Sequence, residues 1–243
     1  KSSVNTTNVP VSFDAERALS MLLTKNENCE TDAEFIPFAN PTFFDFEAAD
    51  HGDTLTLYGQ FKGQDGGKSK CISASITYDT APPVVTVFTT LQGSKYVKAA
   101  SVVLTIETQK DDATEYYLTS TAGCIDGGEW RKFKDGDPTW TLQEITGSQS
   151  VYAAVKDEAG NVSECSEVKL VLDIVAPTLT KVDFGQSLSS TQTHPMVVSE
   201  ASDDNSGIDH YMFAIGTATG TQDILAWKDV GGEFPYQETG LTL

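Results

Sequence analysis

The 243-residue sequence has no run of about 18 apolar residues, so it holds no candidate membrane-spanning helix. It has no HExxH or HxH pairing, no CxxC, no GxSxG elbow and no Gly-rich phosphate loop. Its three histidines, His51, His194 and His210, lie in different segments. The adjacent acids Asp111-Asp112 and Asp203-Asp204 sit in loop patterns, not as two carboxylates about 5–10 Å apart across a substrate. These absences predict a chain that is not an enzyme. Basic residues are also scarce, 16 against 35 acidic, for a net charge of −19. A nucleic acid or anionic lipid surface would meet phosphate repulsion at every approach, so neither is expected as a partner. No leader is visible: Lys1 opens into polar sequence, as a mature or excised fragment would.

What the acidic balance does supply is a soluble surface and carboxylates able to take hard divalent cations. The four cysteines mark the compartment. Cys29 and Cys71 are 42 residues apart, and Cys124 and Cys165 are 41 apart. Near-equal spacing predicts one disulfide in each of two repeats, Cys29–Cys71 and Cys124–Cys165, formed outside a reducing cytosol. The alternative is four buried free thiols.

Internal duplication organises the rest. With Cys29 laid on Cys124, residues 23–29 (LTKNENC) fall on 118–124 (LTSTAGC) without a gap. Phe35 then falls on Trp130, Phe38 on Phe133, and PTFFDF (41–46) on PTWTLQ (138–143). After the second cysteines, Asp79 falls on Asp173, and Ala-Pro follows each. Short runs rich in β-branched and aromatic residues (102–106, 115–118, 150–155, 168–172) alternate with Gly, Asp, Asn and Pro clusters, which predicts antiparallel strands in a sandwich. Residues 15–19 are the one helix-like scrap and are read as loop.

Val4, Val9, Val11 and Phe13 fall on Val97, Val102, Leu104 and Ile106, but nothing in the first repeat corresponds to residues 82–96. The first repeat thus lacks the second's opening strand, and its sheet is expected to carry an open edge. Residues 178–243 have no cysteine. Strands are predicted at 182–184, 196–198, 208–215, 223–227 and toward the end of 234–243, with turns at 202–207 and 216–221. The expected organisation is three modules, 1–80, 81–175 and 176–243, the terminal two incomplete in a piece of a longer chain.

The Ala-Pro starts after Asp79 and Asp173, with KDEAGNVS (156–163), resemble bacterial Ig-like repeats of large surface proteins and adhesins. SDDNSGIDHYMFAIGT (202–217) resembles a fibronectin type III-like module. The resemblance implies tandem β-sandwich modules strung end to end, extracellular, cell-surface or periplasmic, serving as spacers or binding elements. It also implies Ca²⁺ at some module junctions; by position Asp157, Asn161 and Asp173 are the candidate ligands, with no cofactor otherwise required. Gly63 and Gly67 replace Asp157 and Asn161 in the first repeat. The alternative for the DEAGN stretch is a tight turn, Asp and Asn bonding their own backbone.

Recurrence places Trp130, Phe133 and Trp140, with Phe35, Phe38 and Phe43 or Phe44, in the sandwich cores. Trp227 and Tyr236 are either core or a stacking platform for a sugar. Two functions follow. One is a spacer and adhesive array meeting a protein or glycan on another cell. The other is a carbohydrate- or protein-binding accessory region of a secreted enzyme.

Overall fold

The computed structural model describes residues 2–185, 193–232 and 236–239, and of 183–185, 193–199 and 236–239 the backbone alone. By contacts the chain groups into two compact units: 1–91 with 103–139 and 151–168, and 92–102 with 140–150 and 169–243. The fold is all-β, built of largely antiparallel sandwich sheets with three single 3-10 turns among the described residues.

In the first repeat the strands are β1 (Ser3–Val4), β2 (Asn8–Val11), β3 (Ser20–Thr24), β4 (Ile36–Pro37), β5 (Thr42–Asp45), β6 (Thr54–Lys62) and β7 (Ile72–Tyr78). Five form a sheet in the order β1-β7-β6-β3-β4, and β2 pairs with β5 in a second sheet. Period-two alternation along β6 turns Leu55 and Leu57 inward. They meet Val4, Val9 and Phe46, with Phe44 and Ile76 packed alongside. Phe43, one residue from Phe44, points out and is exposed. Burial of this cluster is what holds the two sheets face to face.

The second repeat contains β8 (Val85–Thr90), β9 (Tyr96–Val97), β10 (Ser101–Thr108), β11 (Ala113–Thr119), β12 (Trp130–Lys132), β13 (Thr139–Thr141), β14 (Gly147–Asp157) and β15 (Ser166–Leu172). Its larger sheet, β12-β11-β14-β15-β9, is the first repeat's order read from the other end. Even the parallel edge pair recurs: Val4 lies opposite Tyr78, and Val97 opposite Leu172. Along β14, Val151, Ala153 and Val155 are buried. The smaller sheet is β13-β10-β8, so β10 and β13 repeat β2 and β5, and β8 is the added strand.

Both disulfides form as the spacing predicts, Cys29 to Cys71 and Cys124 to Cys165. Each first cysteine follows a left-handed residue, Asn28 or Gly123, and is itself left-handed, so the turn is duplicated down to its dihedrals.

After the second repeat come β16 (Thr178–Gly185), β17 (Thr193–Ser202), β18 (Met212–Ile215), β19 (Leu225–Asp229) and β20 (Tyr236–Thr239). They form the sheets β16-β17-β20 and β18-β19. The strand expected over 208–215 is shorter than its apolar run. Residues 208–211 are irregular, with Tyr211 held by backbone bonds to Gly231 and Val230 instead. The strand expected over 223–227 begins two residues later, because Asp223 is taken up by the turn: its carboxylate accepts from the Thr217 N–H and hydroxyl.

Candidate functional site at the linker turns

Residues 157–161 close the loop between β14 and β15. The Asp157 N–H donates to the Asn161 carbonyl at 3.1 Å, and Gly160 takes φ +109°, a conformation an L side chain resists. The Asp157 Oδ1 accepts from the N–H groups of Gly160 (2.7 Å) and Asn161 (2.8 Å), and Oδ2 from the Asn161 side-chain amide (2.8 Å). That amide also reaches the linker before β8. It donates to the Asp79 carbonyl at 2.9 Å and lies 3.4 Å from that of Ala81. The linker is shaped by its own aspartate, since Asp79 Oδ1 accepts the Ala81 N–H at 3.0 Å. Beside it, Glu158 accepts both the hydroxyl and the N–H of Ser2, and these bonds hold its carboxyl below the usual value.

The same arrangement recurs at the next linker with different side chains. Asp173 Oδ1 accepts the Val175 N–H at 3.1 Å, as Asp79 does for Ala81. Its Oδ2 accepts the N–H (3.0 Å) and hydroxyl (2.6 Å) of Ser206. Ser206 belongs to the turn 203–207, where Asp203 Oδ1 gathers the N–H groups of Asn205, Ser206 and Gly207 at 2.9–3.1 Å. Partial burial works to raise the Asp203 carboxyl, but the three N–H donors outweigh it and leave it below the ordinary aspartate value. Ser206 thus shares one N–H between two carboxylates.

Asp157 and Asp173 are the two buried charged side chains among the described residues, 5% and 8% exposed. Neither is short of donors. Of the residues expected to hold calcium, Asp157 and Asn161 bond each other, Asn161 also bonds the linker at 79–81, and Asp173 bonds the turn at 203–207. The oxygens that an ion would need are directed at N–H and O–H donors. Among the described residues no three acidic, His or Cys side chains gather closely enough to hold a metal.

In the first repeat the equivalent turn keeps its backbone and loses its grip. Gly63 N donates to the Gly67 carbonyl at 3.0 Å, matching Asp157 and Asn161, but there is no side chain to reach a linker. Ser69 and Ser163 occupy matched roles behind the turns, accepting the N–H of Phe61 and Val155 at 3.0 Å each.

Aromatic recurrence has a different explanation from core packing in one case. Trp130 is 38% exposed and packs on Tyr117 at 5.4 Å. Lys156 Nζ lies 4.2 Å from the centre of its ring and pairs with Glu115. Lys62, which matches Lys156, stands 4.9 Å from Phe35, which matches Trp130. The repeated feature is a cation over an aromatic face. Trp130 also lines an open groove of about 540 Å³ with Glu115, Arg131, Lys132, Lys134 and Asp135. The sequence signal for it was the run WRKFK, basic in an otherwise acidic chain. Phe133 and Trp140 are half-buried, and Phe133 stacks on Tyr116 at 5.1 Å. Trp227 is 62% exposed on β19. The side chain of Tyr236 lies outside the described residues.

No family model and no curated protein matches the sequence. Similar solved structures include fibronectin(III)-like modules of CbhA from Clostridium thermocellum, which align with TM-score 0.42 and 11% identity, over 70% of this chain and 87% of theirs. The FN1–FN3 domains of chicken CNTN1 align with TM-score 0.45 and 7% identity, over 71% and 65%.

Among the described residues, no helix is long and apolar enough to cross a membrane.

Proposed function

We propose that this chain is a non-catalytic part of an exported bacterial surface protein, an array of sandwich modules acting as spacer and as adhesion or partner-binding region. The observation that carries the reading is the linker lock. At each Ala-Pro linker a turn of the following module reaches back and bonds the linker, through Asn161 in one case and Ser206 in the other. A spacer needs linkers that transmit position, and partly buried hydrogen bonds to a linker serve that need. Two disulfides favour an oxidising, extracellular setting. The modules 1–80, 81–175 and 176–243 are the units of this array.

Pulling the oxidised chain between its ends in a single-molecule instrument tests the spacer. The expected record is separate unfolding steps, with the loops of 42 and 41 residues withheld until a reductant is added. A single step with no effect of reductant contradicts it.

The exposed Trp130 in its groove favours a second reading, a glycan- or protein-binding accessory region. Specific hits on a glycan array that vanish in Trp130→Ala select that reading over the spacer.

A further inference from the structure

Strand β12 is an edge strand. It pairs with β11, and among the described residues no strand lies on its other side. Its sequence is Trp130-Arg131-Lys132, and Lys134 follows in the next turn. The three cations are exposed, and none is ion-paired among the described residues. In a chain of net charge −19, residues 130–134 carry three basic groups and no acid. Arg131 lies opposite Tyr116 and Lys132 opposite Glu115, so strand alternation sets the two cations on opposite faces of the sheet.

The acids nearest Lys132 and Lys134 are already engaged. A second groove, of about 630 Å³, is lined by Lys132, Lys134 and Lys156 with Glu115, Asp157 and Glu158. Glu115 pairs with Lys156, Asp157 accepts from Gly160 and Asn161, and Glu158 accepts from Ser2. Lys132 and Lys134 are left there as uncompensated charges. In the groove beside Trp130, Asp135 and Asp137 stand against Arg131, Lys132 and Lys134, so cations are in excess there too. The first repeat builds the same strand pairing without them. The register that lays Phe35 on Trp130 puts Ile36, Pro37 and Ala39 at the positions of Arg131, Lys132 and Lys134. There β4 pairs with β3 as β12 does with β11, and the lysine over the aromatic ring is kept. Pro37 has no N–H to offer at the edge of β4, whereas every residue of β12 keeps one.

We propose that the β12 edge docks an acidic peptide of a partner protein, laid alongside as an added strand. This names the partner for the partner-binding role proposed above, and it rests on that role. Main-chain bonds to the free edge supply affinity. Carboxylates meeting Arg131 on one face, and Lys132 with Lys134 in the groove on the other, supply selectivity. Successive side chains of the incoming strand point to opposite faces, so the fitting sequence is a run of consecutive Asp and Glu. Cations on both faces favour an added strand over a sugar lying against Trp130. That ring already has Lys156 over it at 4.2 Å and Tyr117 beside it at 5.4 Å, which leaves less free face for a sugar. The remote acids of the chain oppose this little, because at physiological salt charges are screened beyond about 8 Å.

Fluorescence anisotropy tests this with the full chain and a dye-labelled peptide of alternating Glu and Asp. The expected result is saturable binding that weakens with salt and is roughly tenfold weaker for the matching peptide of Gln and Asn. Arg131→Gln combined with Lys132→Gln should weaken it by a similar factor. Lys98→Gln combined with Lys110→Gln removes equal charge elsewhere and should leave it within about twofold. On binding, amide exchange within residues 130–132 should slow, as an added strand requires. Equal binding by the two double variants, or no binding of the acidic peptide, overturns the proposal. So does tighter binding of polygalacturonate, an anionic glycan, that is lost in the variant at Arg131 and Lys132. Glycan-array hits that vanish in Trp130→Ala, with no acidic-peptide binding, overturn it while leaving the partner-binding reading in place.

Discussion

The Asn161 side-chain amide donates to the backbone carbonyl of Asp79 across 82 residues of sequence, at 2.9 Å. The same amide anchors Asp157, so one side chain ties a buried carboxylate to a linker. Asn161→Ala removes both contacts and leaves Asp157 short of a donor. The expected loss is about 1.5–3 kcal/mol, the usual range for a bond to a buried charge. Chemical denaturation followed by tryptophan fluorescence checks it; an unchanged midpoint would show that water replaces the amide without loss.

Each disulfide should stabilise its repeat by roughly 3–4 kcal/mol, on the loop-entropy account for about 40 enclosed residues. Cys124→Ser with Cys165→Ser is expected to lower the stability of the second repeat by that amount in chemical denaturation. A drop below about 1 kcal/mol would mean that the reduced chain keeps this loop ordered.

Gly128 N–H donates to the Tyr117 hydroxyl at 2.9 Å, and the chain passes so close that an added methyl would collide with the Leu118 carbonyl. Gly128→Ala must therefore displace backbone, at about 1–3 kcal/mol. Thermal unfolding of the variant reads this directly. Gly136, whose Cβ position meets open space, is not an equivalent control because its φ is +129°.

The turn at 203–207 carries a pH signature. Asp203 is held below the ordinary value of 3.8, so its contribution is complete above that pH. It fades only as pH falls through the lower folded value. A carboxyl NMR titration should place the Asp203 midpoint below 3.8, and a midpoint at or above it would show that the three N–H donors are not engaged. His210 behaves with the opposite sign. The Asp209 carboxylate at 2.9 Å, aided by Asp229, raises it above 6.5. Its contribution is complete below 6.5 and is lost as pH rises through the raised value, and Asp209→Asn should bring the His210 titration back down.

Duplication was legible because it is written in residue types with few substitutes: cysteines, Ala-Pro and the turn glycines. The disulfides followed from that register, and the sandwich fold from the strand pattern. The partner of each linker was not legible. Nothing in the residue types tells that Asn161 bonds the Asp79 carbonyl or that Ser206 bonds Asp173, contacts that span 82 and 33 residues. Nor could sequence separate Trp130 from core, because a residue repeated for its cation contact recurs as faithfully as one repeated for packing. Strand ends in 203–229 slipped by two to four residues where Asp and Thr side chains compete for backbone groups.

Two independent locks hold the two linkers. Native-state hydrogen exchange at the Ala81 and Val175 amides, which are bonded to Asp79 and Asp173, tests this most directly. In the unaltered chain both should be protected. Asn161→Ala should accelerate Ala81 at least tenfold and leave Val175 unchanged, and Ser206→Ala should do the reverse. Fast exchange of both amides in the unaltered chain, or equal acceleration of both by either variant, would contradict it.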